Sequence, residues 1–346
     1  MPPLVEVEGL RVSARDDAGE DVPIVADVSF ALNKGEVLAL IGESGSGKTT
    51  IALALMGYAR GGLRIAGGRI RLGDTEVLSL PTAGLRGLRG RRVSYVAQSA
   101  TAAFNPSLRI MDQVVEAALI HGVMDRARAE AEAVALFRSL ALPEPDRIGA
   151  RYPHQVSGGQ LQRLMAAMAL ITGPDLVILD EPTTALDVTT QIEVLRAFKE
   201  VVRERGVTAV YVSHDLAVVA QIADRILVLR RGRMQETGPT ERILARPEHP
   251  YTRSLLAAAV PAVRAANTNE EAEAPVLVVR GLVAGYGRIR DGVPLVPVLR
   301  DIDLTIGRGA SLGVIGESGC GKSTLARVVA GLLPMARGEM RLGGET

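Results

Sequence analysis

The 346-residue sequence has a single cysteine, Cys320, so no internal disulfide can form and a reducing compartment is expected. Net charge is nearly absent as well. Forty basic residues face 39 acidic ones, which gives no electrostatic reason to expect nucleic acid as the main partner. Long apolar runs are missing: the stretches at residues 51–59 and 255–263 are too short to span a bilayer. The opening residues, Met1 to Glu6, lack the basic-then-apolar layout of a secretion signal. Together these absences lead us to expect a cytosolic protein that meets a membrane only through a partner. Core-forming material is plentiful, with 47% hydrophobic residues, which excludes a disordered chain. The length exceeds one ordinary domain but accommodates one large α/β domain and part of another.

The sequence repeats itself. Gly42-Glu-Ser-Gly-Ser-Gly-Lys-Thr-Thr50 returns as Gly316-Glu-Ser-Gly-Cys-Gly-Lys-Ser-Thr324, and the flanks return with it. Residues 28–32 (VSFAL) resemble 302–306 (IDLTI), and 68–74 (GRIRLGD) resemble 338–344 (GEMRLGG). Between the copies, residues 261–275 (PAVRAANTNEEAEAP) are polar and bracketed by prolines, as in a linker. The expected organisation is a complete domain over 1–262, a linker over 263–275, and the N-terminal fragment of a second domain over 276–346.

Hydrophobic patterning places strands at residues 36–41, 92–97, 176–179, 209–212 and 226–229, short apolar runs suited to a parallel sheet covered on both faces. A helix is expected over 48–58. Helix-spaced apolar residues at 111–121 and 126–142 suggest a helical insertion. Strands alternating with helices imply an α/β fold whose ligand lies at the carboxyl ends of the strands.

The segment Gly42-xxxx-Gly47-Lys48-Thr49 matches the phosphate-binding P-loop in its required strand–loop–helix setting. Glycines let the backbone fold tightly, so that successive N–H groups point at phosphate oxygens, and the following helix adds its positive end. Across Gly42, Glu43, Ser44, Gly45, Ser46, Gly47, Lys48, Thr49 and Thr50, the lysine would neutralise β- and γ-phosphates and the Thr49 hydroxyl would ligate Mg²⁺. A glycine-rich turn that binds nothing is the plainer alternative, and the second full match disfavours it. The strand at 176–179 runs into Asp180 and Glu181. Asp180 suits a Mg²⁺ shell and Glu181 suits a water-activating base, although strand-end acids are often merely solvated. Ser157, Gly158, Gly159 and Gln160 open another helix, forming a second candidate phosphate-binding N-terminus in the same domain. One nucleotide needs one cradle, so this one is expected to serve a nucleotide on another domain. An ordinary helix cap by Ser157 would not account for both glycines.

These motifs together resemble the nucleotide-binding domain of ABC ATPases, over residues 4–260 and again from about 276. The resemblance implies an α/β P-loop NTPase with a helical subdomain and a mixed sheet, and ATP with Mg²⁺ as its ligands. It assigns Gln98 to the Q-loop, which contacts the metal and γ-phosphate and couples to a membrane domain. It makes Ser157–Gln160 the signature motif, with Val156 where Leu is common, places Asp187 in the D-loop and makes His214 the switch histidine. In the second copy, Gly316, Gly319, Gly321, Lys322, Ser323 and Thr324 form the corresponding loop. Residues 98–106 (QSATAAFNP) and 249–256 (HPYTRSLL) are similar to oligopeptide, dipeptide and nickel importer ATPases, a branch that includes tandem forms. Many of those relatives carry a cysteine-bearing tail. Here the only cysteine lies in the second loop, so an iron–sulfur or zinc role has no support.

The implied partners are transmembrane permease subunits, a solute-binding protein indirectly, and a second ATPase half or copy, with no nucleic acid. The implied location is peripheral, at the cytoplasmic face of the inner membrane. A soluble ABC ATPase acting on ribosomes or DNA is the competing class, but the long insertions or charged linker typical of such proteins are missing. A nucleotide-dependent binding module without turnover is disfavoured by Glu181 and His214. ABC ATPases usually stack an aromatic residue on adenine ahead of the P-loop. Aligning Gly9-Leu10 with Gly281-Leu282 puts Tyr286 at that place in the second copy and Ala14 in the first. The basic run at 86–92 lacks interleaved aromatics and is expected to be a solvated face.

Overall fold

A computed structural model describes residues 2–16, 19–183, 188–259, 275–316 and 319–343. The expected linker lies outside the described residues except for Pro275. The chain divides into two compact units, residues 1–186 with 190–261, and residues 187–189 with 262–346.

In the first unit, β1 (Val5–Arg15) and β2 (Asp21–Leu32) form an antiparallel hairpin, followed by β3 (Val37–Ile41) and α1 (Lys48–Ala54). Strand β4 (Leu63–Leu72) pairs with β1, and β5 (Thr75–Glu76) completes a four-stranded antiparallel sheet. Helix α2 (Thr82–Leu88) leads to β6 (Val93–Val96). A helical block follows: α3 (Ala100–Ala103), α4 (Ile110–Ile120), α5 (Arg126–Ser139), α6 (Pro145–Ile148) and α7 (Gly158–Leu170). The chain then alternates through β7 (Leu176–Asp180), α8 (Val188–Arg205), β8 (Thr208–Val212), α9 (Leu216–Ile222) and β9 (Arg225–Arg230). Strand β10 (Arg233–Pro239), α10 (Thr240–Ala245) and α11 (Pro250–Ala259) complete the unit.

Six strands form the main sheet in the order β10-β9-β3-β8-β7-β6, parallel except for β10. Strands β3, β7 and β8 are buried at every position, as their unbroken apolar runs require of strands covered on both faces. The helical block carries its own core. In α5, Ala129, Ala133, Leu136 and Phe137 recur at helical spacing and are fully buried, beside Val114 and Ala118 of α4. Asp125 caps α5 by accepting the Arg128 N–H at 2.9 Å. The helix expected over 48–58 stops at Ala54. Its last carbonyls are taken in tighter turns by the N–H groups of Met56 and Gly57, and Gly57 adopts φ +63°, where only glycine is at ease.

The second unit is smaller: a three-stranded antiparallel sheet, β12 (Val293–Ile306), β11 (Leu277–Arg290) and β13 (Arg337–Leu342), with α12 (Lys322–Val329) against it. Residues 311–315 occupy the sequence position of β3 but form no strand, and Ile315 is 93% exposed. In the first unit β8 and β9 flank β3 on both sides. Among the described residues, the second unit has no parallel strands to take that part.

One feature of the sequence repeat has a common structural cause. Gly68 (φ +101°) crosses β1 so closely that a Cβ would lie 2.6 Å from the Gly9 carbonyl oxygen. Gly338 (φ +113°) does the same in the second unit, 2.8 Å from the Gly281 carbonyl oxygen. Both the left-handed backbone and the contact exclude a side chain. Gly68→Ala is therefore expected to destabilise the first unit by ~1–3 kcal/mol, measured as a lower urea midpoint at unchanged slope.

Candidate functional site

The candidate residues converge because they follow adjacent parallel strands. Strand β3 runs into the loop 42–47, β7 ends on Asp180 with Glu181 next, His214 follows β8, and Gln98 follows β6. All lie at the same edge of the sheet, where an α/β fold places its ligand. The cleft there holds about 470 Å³ and is lined by Ser44 to Thr50, Gln98, Asp180 and Glu181, together with Ile24 and Arg60.

The loop is shaped by its glycines. Gly42, Gly45 and Gly47 adopt φ of +147°, +77° and +97°, and a Cβ on Gly42 would lie 2.1 Å from the Leu229 carbonyl oxygen. Gly47 caps α1 without a side-chain hydrogen bond, so no side chain occupies the helix entrance. Lys48 folds back over the loop and donates to the carbonyls of Gly42 (2.8 Å) and Glu43 (2.9 Å). Burial pushes its pKa below the usual 10.5, against the opposing pull of Glu181 and Asp180. A desolvated ammonium with carbonyl partners is a receptor for anionic oxygen. The Ser46 hydroxyl, buried in the same loop, has no hydrogen-bond partner among the described residues. An uncapped helix entrance, a buried cation and an unsatisfied hydroxyl on one cradle fit a polyphosphate.

Around the acids, Thr49 donates its hydroxyl to one oxygen of Asp180 at 2.8 Å, and Tyr95 donates to the other at 2.7 Å. Arg60 comes within 4.0 Å of the same carboxylate. Burial, and then the hydrogen bond to Asp180, push the Tyr95 pKa up, so it remains a donor. Glu181 is held on both oxygens: Gln98 donates its amide at 3.1 Å, and the His214 Nδ1 lies 3.1 Å from the other. The backbone N–H of Glu181 donates to the Val212 carbonyl at 3.0 Å, and its φ is +49°, a left-handed conformation outside the norm for glutamate. A hard divalent cation fits the Thr49–Asp180 pair, since both offer oxygen.

Ser157, Gly158, Gly159 and Gln160 open α7 and do not line this cleft. Ser157 caps the helix by accepting the Gln160 N–H at 3.3 Å, and the Gln160 side chain accepts the Ser157 N–H at 3.1 Å. Gly159 has a packing reason too, because a Cβ there would lie 2.3 Å from the Thr190 methyl. Asp187 lies outside the described residues. In the second unit, Gly316, Gly319 and Gly321 adopt φ of +154°, +84° and +103°. Lys322 donates to the Gly316 carbonyl at 2.7 Å, Ser323 is exposed and Thr324 is buried. The Tyr286 hydroxyl lies 3.3 Å from that of Thr324, which sets its ring beside this loop. Ala14 pairs with Val22 and Tyr286 with Val296, at matching places in the two hairpins, so the first copy has alanine where the second has tyrosine.

Sequence reasoning missed Tyr95 and Arg60 as partners of Asp180, and Ile24 as a wall of the cleft. Tyr95 stands two residues inside β6, and only the pairing of β6 with β7 brings it to the acid.

Fold and site define a P-loop NTPase of the ATP-binding cassette type. The family model described as "ABC transporter" matches residues 25–184 and 299–346, and the chain belongs to that family. It is 35% identical over 382 residues to the glutathione import ATP-binding protein GsiA of Pectobacterium atrosepticum, across 99% of this chain and 60% of that protein. The protein of the same name from Escherichia coli K12 is 35% identical over 380 residues, with the same coverage. The chain thus spans about 60% of the length of these curated relatives. The dimeric ATP-binding cassette MJ0796, in a post-hydrolysis state with ADP and Pi, is similar in structure, with a TM-score of 0.60 and 25% identity over 68% of this chain and 98% of that one. The cassette cbiO1 of Clostridium perfringens, part of the ABC transporter complex cbiONQ, shares the fold, with a TM-score of 0.60 at 22% identity over 71% of this chain and 92% of that one.

Replacing Tyr95 by Phe leaves Asp180 short of one donor. Hydrogen bonds to charged groups contribute ~1.5–3 kcal/mol, so Tyr95→Phe is expected to lower the unfolding free energy by that order, read from urea titration.

Proposed function

We propose that the chain is an ATP-hydrolysing subunit of an ABC importer for peptides or similar small solutes. The observation that carries it is the Glu181 carboxylate, fixed between Gln98 and His214 at the mouth of the Lys48–Thr49–Asp180 cleft. The cradle 42–50 binds the triphosphate, with Lys48 neutralising the β- and γ-phosphates. Thr49, Asp180 and Gln98 would hold Mg²⁺, which would withdraw charge from the phosphates. Glu181 accepts a proton from a water whose oxygen bonds to the γ-phosphorus as the bond to the bridging oxygen breaks, leaving ADP and phosphate. Gln98 and His214 orient Glu181 through its two oxygens. The second cradle, Ser157–Gln160, lies outside the cleft and, together with Asp187, serves a nucleotide held by another copy or half. Closure of that pair powers transport. The dimeric form of MJ0796 supports this arrangement.

Residues 1–262 act as the catalytic cassette, 263–275 as a linker, and 276–346 as the N-terminal part of a second cassette, with Tyr286 and the 316–324 loop as its nucleotide contacts. The glutathione import relatives support a peptide-like solute, since glutathione is itself a tripeptide. No helix among the described residues is long and apolar enough to cross a membrane. In this reading permease subunits supplied by other chains form the path, a solute-binding protein delivers cargo to them, and this chain docks peripherally at the cytoplasmic face.

Glu181→Gln is expected to retain ATP binding while turnover falls by ~10²–10⁴-fold, the range for loss of a general base. A purified variant with near-normal phosphate release would remove Glu181 from this role. Affinity purification of the tagged chain from its native cells is expected to bring down a polytopic membrane protein. Co-sedimentation with ribosomes, with no membrane partner, would favour the soluble class instead.

A further inference from the structure

Helix α11 begins with Pro250, and its second residue, Tyr251, turns inward. The ring is 6% exposed and packs in a cluster with Ala39 and Ile41 of β3 and Val228 of β9, while the Arg230 guanidinium covers it at 4.6 Å. The phenolic oxygen emerges from that cluster behind the phosphate loop and accepts the backbone N–H of Glu43 at 3.3 Å. The same Glu43 residue presents its carbonyl to the cleft side, where it accepts the Lys48 ammonium at 2.9 Å and the Ser46 N–H at 3.1 Å. The peptide unit joining Gly42 to Glu43 is thus held at both ends: its carbonyl, that of Gly42, accepts the Lys48 ammonium at 2.8 Å, and its N–H, that of Glu43, donates to a tyrosine 208 positions later in the chain. Burial holds the hydroxyl neutral by pushing its pKa above 10. The entry to α11 is itself anchored, because Glu236 accepts the N–H groups of Glu248 and His249 at 3.0 Å each, and His249 Nδ1 accepts the Tyr251 N–H at 3.2 Å.

We propose that Tyr251 is a positioning residue for the nucleotide site, resting on the nucleotide reading above: through the Glu43 N–H its hydroxyl holds the planar peptide that joins Gly42 to Glu43, which sets the Gly42 carbonyl that aims Lys48. Helix α11 is then part of the phosphate cradle. Without the hydroxyl, the Glu43 N–H has no other acceptor among the described residues, and rotation of the Gly42–Glu43 peptide removes the Gly42 carbonyl, one of the two that fix the lysine. Such rotation weakens phosphate binding more than it weakens chemistry on a nucleotide already bound.

The test uses the full chain carrying Lys322→Ala, which silences the second loop, with and without Tyr251→Phe. Phenylalanine keeps the ring in its cluster and removes only the hydroxyl. The expected result is a Kd for ATP, and a KM for ATP, raised by about 2- to 12-fold, the span of one net hydrogen bond, with kcat at saturating ATP and the urea midpoint close to the parent's. Equal Kd values in parent and variant overturn the inference while leaving the nucleotide reading intact. A variant that loses kcat and midpoint together with affinity makes Tyr251 a core residue only, and also overturns it. A parent with no measurable ATP binding overturns the nucleotide reading and this inference with it.

Discussion

Everything in the site hangs from one strand. Strand β3 is five buried residues with a parallel neighbour on each side, β8 and β9, so its backbone groups are paired along both edges. That double pairing fixes where the chain leaves the sheet, and hence where the loop at 42–47 turns. Because β7 and β6 follow β8 in the same parallel register, the acids, Gln98 and His214 leave at the same edge. Side chains separated by more than a hundred positions meet as a result of strand order rather than of any local signal.

The two copies make the point by contrast. Residues 37–41 and 311–315 open on to nearly identical loops, yet only the first is a strand. Lys48 is buried and Lys322 is half-exposed, although each reaches back to the carbonyl of the first glycine of its loop. The loop's glycines adopt similar left-handed angles in both units, so loop shape is local, whereas strand formation and desolvation of the lysine depend on neighbours.

What was legible in the sequence follows the same division. The glycine spacing, the apolar run ending in Asp180-Glu181 and the Ser157 helix start are contiguous signals, and each lies on the expected kind of element. The helical block was visible as a 3.6-residue period in α4 and α5. Tyr95, Arg60 and Ile24 were not recognised, and Tyr251 was noticed only within the 249–256 similarity, because each acts across strands or helices. The reason for Gly159 was only half visible: a phosphate-binding role was expected of it, and the approach of Thr190 gives a second demand for glycine that no local rule encodes.

Glu181 stands in a left-handed backbone conformation, φ +49°, which glycine or asparagine adopts with far less strain. A chain selected for stability alone would not keep a glutamate there. The fold holds it in place through the Val212 carbonyl, Gln98 and His214, spending some of the stability built up in β7 and β8 on one carboxylate. Random mutation with selection for thermal resistance would drift toward small residues at this position. The most heat-tolerant descendants of the chain would be those that had given up this carboxylate.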